Sequence, residues 1–351
     1  MAFALAGLLA LPSWGCDVPV FRYALEKWEP DVFHIAVLHR APLSEEEAGV
    51  LSQLKEAVLT GETFLNLGYI DRNLEEDPWP EVEEQLAPDR DASKPRVALL
   101  NPVDPHRPTV SWEGPLSRET IGTIIDSPLR REITDHLLKG AAAVWVLLEG
   151  GDTLKDASAR ATLEAHLAGM ETSYQMPTET GAALIEQTGL KLPLIVLSRD
   201  NPKERVLIDI LLHVEPDLLD EEFAGEPMAF PIYGRGRVLY SLVGGGITPD
   251  LIEEAMHFLL GACSCEVKDL NPGVDLLLSA DWKNYSGDPM VDTALLAAYA
   301  ETGLEPPESA QAGLALPRSG TWGMMVALAG LTLIVAMVSW SLLRGSSDSR
   351  V

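Results

Sequence analysis

Cys263 and Cys265 stand one residue apart, about two helical turns beyond Met256 and His257. A C-x-C pair in an oxidising compartment can close a strained disulfide of labile potential, suited to thiol exchange. Thiolate, thioether and imidazole together would instead suit a soft metal such as copper. The third cysteine, Cys16, offers a structural alternative, a bridge to Cys263 or Cys265, or a lipid-modified N-terminus behind an apolar leader. Inert thiols are the remaining possibility, and the sequence leaves all of these open. Three cysteines exclude a framework of several disulfides and a four-thiolate zinc site.

The other chemistry-bearing side chains form no recognised motif. None of the seven histidines has the H-E-x-x-H spacing of a zinc hydrolase. There is no G-x-S-x-G elbow, and Gly244-Gly245-Gly246 lacks the Lys-Ser/Thr of a phosphate loop. His34 lies inside an apolar run and reads as a core side chain. Acidic runs such as Glu75-Glu76-Asp77 lack the alternating ligands and turn glycine of a calcium loop and read as solvated surface. No cofactor is called for, and the catalytic and metal candidates reduce to Cys263, Cys265, Met256 and His257.

Those candidates sit in a chain of 351 residues with a formal charge of −27 and 46% hydrophobic side chains. The apolar share suffices for packed cores, and the length allows two domains. So acidic a surface, without a cluster of Lys and Arg, repels phosphate backbones, which excludes nucleic acid as a partner.

The ends point to a membrane. Residues 321–343 are 23 in number without a charge, long enough at about 1.5 Å per residue to span a bilayer. Trp322 and Trp340 sit near the ends of this stretch and Arg344 follows it. Residues 1–15 read as a signal peptide, although no Lys or Arg precedes the apolar run. The expectation is a single-pass membrane protein with its bulk outside the cytoplasm, a helix and flexible stalk at 287–320, and a cytoplasmic tail at 344–351.

Between the ends, two similar halves are expected. In the first, 32–39 reads as a strand, and Ser44 caps a helix whose apolar positions Val50, Leu51, Leu54 and Val58 recur at helical spacing. Runs at 64–71, 96–100 and 109–114 read as strands, with an acidic helix at 81–86 and another from Ser117 to 125, giving βαβαββα. The second half opens with a helix at 127–139, capped by Ser127 with Pro128 behind it. A strand at 142–151, a helix at 157–170, strands at 194–198 and 206–212, a hairpin at 227–246 bent at Gly234 and Gly236, and a helix at 248–260 follow.

This last stretch resembles the second half of a thioredoxin domain: Pro227 begins a strand holding Phe230, Gly234 makes the turn, and Val243 with Gly244 closes the next strand before the final helix. The first half is a weaker likeness, with Pro95 before its strand and Trp112 to Gly114 before its helix. The resemblance implies an α/β fold of two tandem thioredoxin-like βαβαββα domains, 16–126 and 127–286, the second with a C-terminal extension. It does not imply the dithiol reaction, because the loops preceding the first helices, Arg40-Ala41-Pro42-Leu43-Ser44 and Gly150-Gly151-Asp152-Thr153, hold no cysteine. The segments at 16–28 and 263–277 also resemble those recurring in a set of bacterial envelope proteins, which implies a shared location and fold. The reading that results is a membrane-anchored, redox-inactive binding or assembly module, its partner another envelope protein. Thiol exchange or copper handling through Cys263 and Cys265 is the rival.

Overall fold

The computed structural model describes residues 18–60, 64–87, 94–102, 108–173, 189–262 and 267–282. In chain order the elements are α1 (Val20–Lys27), β1 (Phe33–His39), α2 (Glu45–Thr60), β2 (Leu67–Asn73), α3 (Pro80–Glu83), β3 (Arg96–Asn101), β4 (Thr109–Pro115), α4 (Arg118–Ile125) and α5 (Pro128–Leu138). Then follow β5 (Val144–Leu148), α6 (Thr153–Ser173), β6 (Leu194–Leu197), α7 (Arg205–Leu211), β7 (Met228–Tyr233), β8 (Arg237–Val238), β9 (Leu242–Val243), α8 (Pro249–Leu260) and β10 (Val274–Asp275).

The first sheet runs β2-β1-β3-β4, with β1 and β2 parallel and β3 antiparallel to both its neighbours. The second repeats this plan: β6 is parallel to β5, β7 is antiparallel to β5, and β8 and β9 both pair with β7. Among the described residues each sheet thus joins a parallel pair to antiparallel strands, four strands in the first and six in the second, where β10 adds to β8. The inner faces of both sheets enter one continuous apolar core, in which Ile35, Val37 and Leu99 of the first meet Val146, Phe230 and Ile232 of the second through α2, α4, α5 and α7. The far face of the second sheet is covered by α1, α6 and α8.

Local signals set the helix ends. Ser127 accepts a hydrogen bond from Arg130 N at the start of α5, and Thr248 does the same for Leu251 N at α8. Buried Glu204 adds a second cap to α5, accepting from Leu129 N at 2.9 Å. The hairpin turns where expected, at Gly234 (φ 59°) and Gly236 (φ 100°). A Cβ on Gly234 would lie 2.7 Å from that of Ala24 in α1, so this turn tolerates only glycine.

Three expectations are corrected. Residues 206–211 of the expected strand 206–212 lie in a helix, α7, because its Val206, Leu207, Ile208, Ile210 and Leu211 are buried in the shared core. No helix among the described residues is long and apolar enough to cross a membrane; even the 21-residue α6 carries Lys155, Asp156, Arg160, Glu164 and Glu171. The expected span at 321–343, the stalk at 287–320, the tail at 344–351 and the signal segment at 1–15 all lie outside the described residues. A single-pass anchor, an extracytoplasmic location and an envelope partner therefore have no described element to carry them. Lastly, Cys16, Cys263 and Cys265 fall outside the described residues, so no disulfide forms part of the described structure.

The two ends of the described chain clasp the halves together. Helix α1 lies on the second sheet: Val20 N donates to Gly261 O at 3.0 Å, Pro19 bridges Ala262, and the Trp28 ring stands edge-on to Tyr23 and Tyr233. Arg235 reaches back to the carbonyls of Leu25 and Glu26. In the opposite sense, residues 276–278 enter the shared core, and Ser279 bridges Leu65 beside the first sheet. At the crossing sits buried Asp275, which accepts from Asp31 N at 2.6 Å, Arg237 at 3.2 Å and Lys268. Lys268 also pairs with Asp31 at 2.8 Å. Burial above all, and the Asp275 carboxylate, push Asp31 above its ordinary range against the pull of Lys268.

Candidate functional site

Thioredoxin-like chemistry would sit where a first helix begins, and both such positions are occupied by the chain's own acids. At α2, Ser44 Oγ accepts from Glu47 N while Glu47 accepts from Ser44 N at 2.8 Å and from its hydroxyl at 2.7 Å, a reciprocal cap that lowers the Glu47 carboxyl. At α6, Asp152 accepts from Leu154 N at 2.9 Å and Lys155 N at 3.2 Å, with the Lys155 bond the larger cause of its lowered pKa. Buried Asp156 accepts from Gly150 N at 2.7 Å and Gly151 N at 3.0 Å. Several of the donors that would stabilise a thiolate or a bound anion are thus engaged internally.

The metal and exchange candidates also separate. Met256 is fully buried in the second core, whereas His257 faces solvent and pairs with Glu253 at 3.5 Å. Neighbours on a helix point about 100° apart, so these two cannot converge on one ion. Among the described residues no group of His, Cys, Asp and Glu could hold a metal. The copper and exchange readings are therefore withdrawn.

The open surface is the outer face of the first sheet. Its centre is shallow because Ala36 and Ala98, paired across β1 and β3, present only methyl groups. Val82 of the one-turn α3 fills that depression, and the Arg72 guanidinium holds the Trp79 ring from 4.4 Å. One turn cannot cover a sheet face as α1, α6 and α8 cover the other one. Beside Trp79 a cleft of about 590 Å³ remains, floored by Ile70 and Leu100 and walled by Val32, His34 and Asn101.

His34 is exposed here, not a core side chain as its apolar surroundings suggested: its imidazole fits over Gly68, where a Cβ would come within 2.8 Å of it. Val32 is shared with a second hollow of about 440 Å³, walled by Phe64, Leu65 and Trp282. Val32 and Phe64 are 48% and 49% exposed. Among the described residues Phe64 is also the non-glycine residue with positive φ, 49°, a conformation that costs energy in a bulky side chain.

Sequence reasoning passed over this surface. Val32 and Phe64 were absorbed into the strand runs at 32–39 and 64–71, but the strands begin at Phe33 and Leu67. The available signal was that each sits at the start of its run, where alternation does not fix a buried face. The described walls of both hollows offer apolar and aromatic surface, one imidazole and several carboxylates, with no Ser, Thr, Cys or Lys to act as nucleophile.

No family model and no curated protein matches this chain. Among solved structures it is similar to the first two thioredoxin domains of Saccharomyces cerevisiae Eps1p, at 14% identity over 61% of this chain and 84% of that one, with a TM-score of 0.21.

Proposed function

We propose that this protein is a polypeptide-recognition module whose binding surface is the cleft on the outer face of the first sheet. The observation that carries the reading is the pair Val32, shared by the cleft and the adjoining hollow, and Phe64, in the wall of that hollow, both held half exposed. An aromatic ring presented to water from a costly backbone conformation gains nothing from folding, whereas covering it stabilises a complex. The self-capped starts of α2 and α6 support the same reading, since acidic side chains of the chain itself already engage several of their donors.

Selection of short random peptides against the full chain tests this. Enriched peptides should bind with Kd on the order of micromolar, and Phe64→Ser should weaken them about tenfold or more while leaving the thermal transition in place, because the ring is half exposed. Failure to enrich any peptide over the Phe64→Ser protein contradicts the proposal.

A further inference from the structure

We infer that the occupant of the cleft is a basic segment, one in which Lys or Arg flanks an apolar or aromatic side chain. The inference rests on the reading of the cleft as a polypeptide site and names the chemistry of its partner. Four carboxylates line the two hollows, Asp31 and Glu81 in one and Glu29 and Asp281 in the other, and no Lys or Arg stands among their described walls. Asp31 and Glu29 have cationic neighbours on the clasp side, Lys268 and Arg235. Glu81 has no ion-pair partner among the described residues, and it lies beside the aromatic ring of Trp79.

The arrangement distinguishes a cationic partner from an anionic or neutral one. An acidic segment would meet like charge at Glu81, within the field of a chain carrying −27. A Lys or Arg entering beside Glu81 gains the carboxylate and can lay its aliphatic stem along Trp79 or Ile70. The half-exposed Phe64 ring offers aromatic surface to a second cation. Arg72 against Trp79 already shows that geometry within the chain.

The probes are two synthetic peptides with identical apolar residues, one flanked by lysines and the other by glutamates, titrated against the full chain at low and at physiological ionic strength. The lysine peptide should bind about tenfold tighter or more, and the difference should narrow with salt. In the doubly substituted Glu81→Lys, Asp281→Lys protein the preference should vanish or reverse. Equal affinities, or preference for glutamate, with both peptides still sensitive to Phe64→Ser, would overturn the charge inference and leave the cleft as the binding surface. If neither peptide binds, or if binding ignores Phe64→Ser, the cleft reading itself fails along with the inference.

Discussion

Asp275→Ala should lower the free energy of unfolding by about 3–5 kcal/mol, the usual cost of removing one partner from a buried ion pair. The carboxylate is 3% exposed and accepts from a backbone amide, Arg237 and Lys268. Its loss strands Arg237, itself 7% exposed, with only the carbonyls of Pro272 and Asn271 and a distant Asp31 at 3.9 Å to stabilise it. Replacing the pair together, Asp275→Leu with Arg237→Met, should recover a large part of the loss, because no buried cation is then left uncompensated. Urea unfolding of the two single variants and the double variant measures the coupling. A single-variant effect below about 1 kcal/mol, in the range of surface pairs, would mean that the crossing of the two chain ends does not hold the halves together.

Arg130→Met is expected to cost about 2–4 kcal/mol. This guanidinium is buried between α4, α5 and the returning C-terminal segment. It donates to Thr123 O at 2.5 Å, Ile124 O at 2.8 Å, Leu277 O at 3.3 Å and Ser127 Oγ at 3.0 Å. Burial, the largest cause, lowers its pKa to about 10, and Asp126 and Glu204 hold it up against that, so the group stays charged at neutral pH. Methionine fills much of the volume but leaves three carbonyls without their donor, and that deficit exceeds the relief of no longer burying a charge. Since both sheets share one core, the variant should unfold in a single transition at lower denaturant, with an unchanged slope. A transition split into two steps would show that the halves are independent and that Arg130 does not join them.

The parts of the fold written locally could be read from the sequence. Ser44, Ser127 and Thr248 mark helix starts through their own hydroxyls, and Gly234 and Gly236 mark a hairpin because their backbone conformations demand it. Strands β1, β3 and β5 follow from short apolar runs bounded by turn residues. What depends on distant neighbours was hidden. The run 206–212 is rich in Val, Ile and Leu whether it is strand or helix, and only its enclosure between two sheets decides for α7. Helix α1 gives no sign in sequence that it belongs to the second sheet while β1, a few residues on, belongs to the first. The cleft was invisible for a related reason: it exists because α3 is one turn long and Ala36 faces Ala98, facts of register that no single segment contains.

Residue type and spacing, not the resemblance, drew attention to the cysteines. The rival reading of thiol exchange or copper handling rested on Cys263, Cys265, Met256 and His257 because their types are reactive, while Met256 is spent on packing and His257 lies on the surface. Val32 and Phe64, chemically inert, are two of several exposed large apolar side chains and the ones that line the two hollows.

Amide hydrogen exchange of the full chain, with and without a lysine-flanked peptide at saturating concentration, tests the polypeptide-recognition account most directly, because it locates the bound surface without presuming it. Added protection is predicted at 32–34, 64–70 and 79–82, with no change at 44–48 or 150–156. Protection confined to the starts of α2 and α6, or to the outer edge of β6, would contradict the account and move the binding surface away from the cleft.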